Sequence, residues 1–172
     1  MHKIIFLDRD GTINKDDGYT NKVGDYKLLP NTIKGLKKLQ SQKFKLIIVT
    51  NQSGIGRGYY TEDQMHEFNN HLLNKLKQDN IDIKEVLFCP QTPEDNCNCR
   101  KPKTKLIESY FTPDFDKNNS YVIGDRASDI ELANNAGIKS VLVTTGSSEN
   151  DPESNSNPTF IAEDLLDAAN KI

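Results

Sequence analysis

The chain has no tryptophan, two methionines and only three cysteines among its 172 residues. An odd, small number of cysteines does not read as a disulfide framework. At this length roughly 70% of the unfolded surface can be buried, so a hydrophobic core suffices without cross-links. Long hydrophobic runs are missing too. None approaches the roughly 20 residues of a membrane helix, which excludes a helical membrane span. The apolar run after Met1-His2-Lys3 is too short for the core of a secretory signal, so a cytoplasmic protein is expected. Charge of one sign is also scarce. Twenty-two Lys and Arg face 25 Asp and Glu, for a net charge of −3. Without a cationic excess to neutralise phosphates, no nucleic-acid partner is expected. With 35% hydrophobic and 27% charged residues, the composition fits a globular protein in water. No internal repeat and no composition break marks a second domain. Residues 1–172 read as one domain, expected to act as a monomer.

What is present is an alternation of strand-like and helix-like segments. Ile4-Ile5-Phe6-Leu7, Leu46-Ile47-Ile48-Val49, Val86-Leu87-Phe88, Tyr121-Val122-Ile123 and Val141-Leu142-Val143 are short apolar runs of the kind buried in parallel sheets. Between them, Ile33, Leu36 and Leu39 recur at helical spacing. Thr61 and Gln64 form a capping box ahead of the apolar face Met65, Phe68, Leu72, Leu73 and Leu76. Leu106, Ile107 and Tyr110 predict a short helix, and Ser128 with Glu131 reads as another capping box before Ile130, Leu132 and Ala133. The stretch from Gly146 to Pro158, rich in Ser, Asn, Asp, Glu and Pro, reads as an exposed loop before a last helix carrying Leu165, Leu166 and Ala169. Five β-α units predict an α/β fold, a mostly parallel sheet of about five strands with helices on both faces.

Ligands in such sheets bind beyond the carboxyl ends of the strands. Four of those ends carry reactive or charged residues: Asp8-Arg9-Asp10-Gly11-Thr12, Thr50-Asn51-Gln52-Ser53-Gly54, Arg100-Lys101-Pro102, and Gly124-Asp125-Arg126 with Asp129 one helical turn later. Together they suit attack on a phosphate monoester, which requires charge neutralisation, alignment and protonation of the leaving oxygen. Asp8 can attack phosphorus and form an acyl phosphate. Asp10 can protonate the leaving group and later activate water. Thr50 and Lys101 can hold phosphate oxygens. Asp8, Asp10 and Asp125 can hold Mg²⁺. Each motif also has a bland reading. Asp8 and Asp10 could be turn residues, Asp125 and Asp129 helix caps, Thr50 a buried hydroxyl, and Lys101, Arg57 and Tyr19 surface or packing residues.

The segment Asp8-Arg9-Asp10-Gly11-Thr12 resembles the DxDGT signature of the haloacid dehalogenase-like phosphatases. Thr50, Lys101 and the run Gly124 to Asp129 resemble that family's other three motifs, in order. The resemblance covers about residues 3–145 and implies a three-layer Rossmann-like fold. The short connections after Thr12 and Thr50 leave no room for a large cap domain, so the site should be open to a small phosphorylated substrate. Asp17-Gly18-Tyr19 and Ser53 to Gly58 are similar to the D-glycero-D-manno-heptose-1,7-bisphosphate 7-phosphatases. The short cysteine loop and Tyr121 to Arg126 look more like the histidinol-phosphate phosphatases. The first resemblance is favoured. It implies a substrate pocket lined by Asp16, Asp17, Gly18, Tyr19, Asn51, Gln52 and Ser53, with Arg100 and Arg126 toward a second phosphate or the sugar. Both relatives carry Cys-x-His and Cys-x-Cys around a structural Zn²⁺. Here Cys89, Cys97 and Cys99 are kept and Gln91 replaces the histidine, so three thiolates with Gln91 or water are the candidate ligands. The alternative is a metal-free loop of free thiols. Two non-enzymatic readings compete: a phospho-receiver, which lacks an acid two residues after its aspartate, and a degenerate scaffold, which would have lost Asp8, Asp10, Lys101 or Asp125.

Overall fold

A computed structural model of the chain describes residues 1–146 and 156–172. Six strands form one parallel sheet: β1 (Ile4–Leu7), β2 (Lys45–Asn51), β3 (Ile83–Cys89), β4 (Tyr121–Gly124), β5 (Lys139–Val143) and β6 (Phe160–Ala162), in the spatial order β3-β2-β1-β4-β5-β6. The helices are α1 (Thr32–Ser41), the one-turn α2 (Ser53–Gly56), α3 (Glu62–Gln78), α4 (Ala127–Ala136) and α5 (Leu165–Lys171). The chain grows outward from β1 to β2 and β3, then returns to place β4 on the other side of β1. The β1/β4 edge is therefore the topological switch point, where a crevice opens at the carboxyl ends.

Alternation along the strands builds the two cores. Ile5 and Leu7 of β1 face α1, α3 and α5, packing with Leu36, Leu39, Leu72, Leu76 and Leu165. Ile4 and Phe6 face the opposite side, with Ile107 and with Leu132, Ala133 and Ala136 of α4. Strands buried on both faces need continuous apolar runs, which explains why those runs were readable. No large cap interrupts the sheet. Among the described residues the long connections hold no helix beyond short 3-10 turns, one in 8–31 and three in 90–120. No helix among them is long and apolar enough to cross a membrane.

Three details differ from the sequence-based expectation. The sheet has a sixth strand, β6, paired with β5 through Phe160, Ile161 and Ala162. Three residues are too few for a periodicity to register. The helix expected around Leu106 and Tyr110 is only a 3-10 turn at Glu108–Tyr110. The capping box of α4 starts at Arg126, not Ser128: the Asp129 carboxylate accepts from the Arg126 backbone N–H at 3.1 Å. The expected 146–158 loop lies largely outside the described residues. The capping box of Thr61 and Gln64 on α3 is present.

Leu39 is fully buried in the first core, whereas Ile161 on β6 is 58% exposed. Leu39→Ala is expected to cost about 2–5 kcal/mol through lost burial and a cavity. Ile161→Ala should stay within about 0.5 kcal/mol. Urea unfolding of both variants checks this; equal losses would contradict the assignment of the core.

Candidate active site

Asp8 follows β1 and Asp125 follows β4, on either side of the switch point. The Asp8 backbone N–H donates to the Ile123 carbonyl at 2.9 Å, extending the β1/β4 ladder by one step and setting Asp8 beside the end of β4. The loop then folds back on itself. Ile13 and Asn14 donate to the Arg9 carbonyl at 2.9 and 3.1 Å, and Gly11 donates to the Asn14 carbonyl at 2.8 Å. Gly11 has φ +81°, and a Cβ there would lie 2.5 Å from Asp125 Oδ2. Glycine is required both for the left-handed turn and for the closeness of the backbone to that carboxylate.

Asp8, Asp125 and Asp129 are all buried, and one carboxylate oxygen of each lies within 4.8 Å of the others. Lys101 reaches into this cluster. Its Nζ donates to Asp8 Oδ1 at 2.8 Å, Asp129 Oδ1 at 2.7 Å and the Val49 carbonyl at 2.8 Å, using all three N–H groups. Burial alone would lower the Lys101 pKa, but the charges of Asp129 and Asp8 outweigh it and hold the ammonium protonated above its ordinary range. Asp129 is pushed up to about 6 by burial, with the Asp8 charge adding to the rise and Lys101 opposing it. By formal charge, three carboxylates and one ammonium leave two net negative charges in a pocket of hard oxygen donors. That donor set fits Mg²⁺.

Asp10 is not part of this cluster, although its carboxylate was an expected metal ligand. Both of its oxygens are turned elsewhere. Oδ1 accepts from Arg9 Nε at 3.0 Å and Asn14 Nδ2 at 2.9 Å. Oδ2 accepts from Arg9 Nη2 at 2.8 Å and Gln52 Nε2 at 2.9 Å. Asp129, which could have been read as a helix cap alone, both caps α4 and joins the carboxylate cluster.

The strand ends surround a cavity of about 420 Å³. Asp8, Asp10, Thr50 and Lys101 line it, together with Asp16, Gly18, Tyr19, Asn51, Gln52, Ser53, Arg100 and Arg126. Asn51 clamps the Lys101 backbone by two bonds, Nδ2 to the Lys101 carbonyl at 3.2 Å and the Lys101 N–H to Oδ1 at 3.0 Å. Arg126 bridges to Asp16 at 3.4 Å. Tyr19, with φ +55°, sits edge-on to Tyr59, ring centres 4.8 Å apart. Asp17 is an exception. It is exposed, pairs with Lys15 at 2.6 Å and does not line the cavity. Three lining residues were absent from the expected pocket set: Arg57, Tyr60 and Ser128. Arg57 lay within the segment Ser53 to Gly58 and Ser128 within the run Gly124 to Asp129, both singled out above, whereas Tyr60 had no signal. Arg57, Arg100 and Arg126 share the lining with the carboxylates, and the charges of Asp125, Asp8 and Asp16 hold the Arg126 guanidinium above its ordinary pKa against the effect of burial. Burial, together with the nearby charges of Arg57 and Arg126, holds the Arg100 guanidinium below its ordinary pKa.

The cysteine loop stands beside Arg100. Cys89 and Cys99 are paired as a disulfide with Cα atoms 5.6 Å apart, a pairing the sequence reading did not include. Cys97 Sγ lies 3.4 Å from Cys89 Sγ and 3.5 Å from Cys99 Sγ. A strand end and a tight turn at 97–99 bring three sulfurs from within eleven residues to one point. Gln91 contributes its backbone carbonyl to Arg100 Nη1 at 3.3 Å.

The chain is similar to known proteins over most of its length. A family profile described as HAD-hydrolase-like matches residues 98–168. A probable D-glycero-D-manno-heptose-1,7-bisphosphate 7-phosphatase of Thermoplasma volcanium is 48% identical over 128 residues, which are 72% of this chain and 86% of that protein. The D-glycero-alpha-D-manno-heptose-1,7-bisphosphate 7-phosphatase of Photorhabdus laumondii is 37% identical over 96% of this chain and 97% of its own. The histidine biosynthesis bifunctional protein HisB of Blochmanniella floridana is 41% identical over 81% of this chain but only 40% of its own length. Among solved structures, the D,D-heptose 1,7-bisphosphate phosphatase of B. bronchiseptica, complexed with magnesium and phosphate, superposes with a TM-score of 0.89 at 27% identity, covering 98% of this chain and 97% of that one. With this fold, these motifs at its strand ends and relatives at such identity over nearly their full length, the chain belongs to the haloacid dehalogenase-like phosphatases.

Proposed function

We propose that this phosphatase hydrolyses a phosphate monoester through a phospho-aspartate at Asp8, and that its substrate is D-glycero-D-manno-heptose 1,7-bisphosphate, cleaved at the 7-phosphate. The observation that carries the substrate reading is the number of cations that line the cavity. Beside the carboxylates and Lys101, the lining includes Arg57, Arg100 and Arg126. Catalysis at one phosphate draws on Asp8, Asp10 and Lys101. Three further guanidiniums suit a second anionic group on the same small molecule. Relatives named for the heptose bisphosphate reaction, at 37–48% identity, support the same choice.

In this mechanism a carboxylate oxygen of Asp8 attacks phosphorus as the P–O bond to the sugar breaks. Asp10 gives its proton to the leaving alkoxide. In the second half, Asp10 takes a proton from water, the water oxygen attacks phosphorus, and the bond to Asp8 breaks, releasing phosphate and the free carboxylate. Lys101 offsets the charge of Asp8 against the dianionic ester. The Thr50 hydroxyl donates to a phosphoryl oxygen. Mg²⁺, which Asp8, Asp125 and Asp129 would hold, supplies Lewis-acid neutralisation of the phosphoryl charge when bound.

A second reading is histidinol phosphate, favoured by the 41% identity to the HisB protein. A single phosphate would use fewer of the cations that line the cavity. Phosphate release with Mg²⁺, comparing the two substrates, tests the choice. The heptose bisphosphate is expected to show a kcat/KM at least about tenfold higher, some 1.4 kcal/mol of transition-state stabilisation. The reverse ratio would move the protein to histidinol phosphate with the same catalytic residues.

For the cysteine loop, the proposal is that its reduced form holds Zn²⁺. Cys89, Cys97 and Cys99 have sulfurs within 4.8 Å of one another and would give three thiolate ligands, with Gln91 or water as the fourth. The paired form retains one thiol, too few for such a site. Protein purified with its thiols reduced and without chelators should carry about one equivalent of zinc by elemental analysis. Less than about a tenth of an equivalent would contradict the assignment.

A further inference from the structure

Gln52, at the end of β2, is 2% exposed and uses every hydrogen-bonding position of its amide. Its Oε1 accepts from the Tyr60 hydroxyl at 2.6 Å and from Arg9 Nη2 at 3.2 Å. Its Nε2 donates to Asp10 Oδ2 at 2.9 Å and to Thr50 Oγ1 at 2.7 Å. A guanidinium cannot accept a hydrogen bond, so the amide has only one workable orientation: oxygen toward Arg9 and Tyr60, N–H groups toward Asp10 and Thr50. An acceptor oxygen opposite the phenol also requires Tyr60 to donate. Burial, the largest influence on Tyr60, pushes its pKa up to about 12, so the phenol keeps the proton it donates at working pH.

Arg9 anchors the other side of the network. It is completely buried and donates to Asp10, to Asn69 Oδ1 at 2.8 Å and to the Thr20 carbonyl at 2.8 Å, with the Phe68 ring centre 4.7 Å from its guanidinium carbon. Tyr60 is itself 6% exposed, and its approach depends on Gly54, where a Cβ would stand 2.1 Å from the Tyr60 ring. The phenol, the amide and the carboxylate therefore form one directed chain of donors, Tyr60 to Gln52 to Asp10.

We infer that Tyr60 is a positioning residue for the reaction, holding the Gln52 amide so that the Asp10 carboxylate faces the leaving oxygen. The inference deepens the proposed mechanism and rests on Asp10 as its acid and base. A group acting through the general acid has a signature that a purely structural one lacks. An alkyl phosphate needs its leaving oxygen protonated, whereas p-nitrophenyl phosphate expels a stable phenolate and does not. The test is kcat/KM on both esters, since this constant covers the steps through departure of the leaving group.

Tyr60→Phe, which keeps the ring and removes the hydroxyl, is expected to lose about tenfold more activity on a sugar phosphate than on p-nitrophenyl phosphate. Gly54→Ala, which crowds the Tyr60 ring without altering a polar atom, should show the same skew, so the test does not depend on one variant folding. Equal losses on the two esters, or no loss, would overturn the inference. Asp10→Asn measured in parallel separates the two levels. A skew there without one in Tyr60→Phe sinks only the role of Tyr60. No skew in either variant also removes Asp10 as the acid.

Discussion

One buried ammonium holds the two sides of the switch point together. Lys101 arrives from the long connection between β3 and β4, yet its Nζ bonds Asp8 at the end of β1, Asp129 on α4 and the Val49 carbonyl of β2. Burying a charge is tolerable only when it is paired and fully hydrogen-bonded, and here every N–H is used. Without it, Asp8 and Asp129 would be neighbouring buried carboxylates with nothing between them. The clamp by Asn51 on the Lys101 backbone and the cap that Asp129 makes on α4 follow from the same need: each partner of the ammonium is itself held in place. The surplus of two negative charges left by this arrangement suits a divalent cation and, through it, a phosphate.

A second feature is the division of the cavity lining between scaffold and loops. Asp8 and Thr50 stand at strand termini, whose positions are fixed by two packed cores. The arginines stand outside the strands: Arg57 after α2, Arg100 beside the cysteine cluster and Arg126 at the start of α4. Chemistry on the scaffold and recognition on the loops is the usual arrangement of an α/β site. Cys99 immediately precedes Arg100, which sets the cysteine cluster next to this lining.

The legibility of this sequence follows the same division. Asp8, Thr50 and Asp125 could be placed because each follows a buried apolar run, and the end of such a run is where a parallel sheet presents its chemistry. Thr61 and Gln64 marked α3 by a local hydrogen-bond pattern that depends on nothing distant. Contacts made across the fold were not readable. Arg9 looked like the variable residue between two aspartates, yet it is completely buried and joined to Asn69, 60 positions away. Tyr60 lay in a loop with no periodicity, and only the approach allowed by Gly54 brings it to Gln52. Asp17 failed in the opposite direction: its motif was suggestive, but its side chain pairs outward with Lys15. Strand β6 forms because β5 offers it an edge, a tertiary cause that three residues cannot announce.

The claim on which the account depends is that Asp8 is the atom-bonding nucleophile. It is tested most directly by acid-quenching the enzyme during turnover with Mg²⁺ and substrate, then mapping peptides by mass spectrometry. The account expects one phosphoryl group on the peptide containing Asp8, acid-stable, released by hydroxylamine and absent from Asp8→Asn. Turnover at full rate with phosphate bound covalently elsewhere, or an Asp8→Asn variant that still hydrolyses the ester normally, would contradict it.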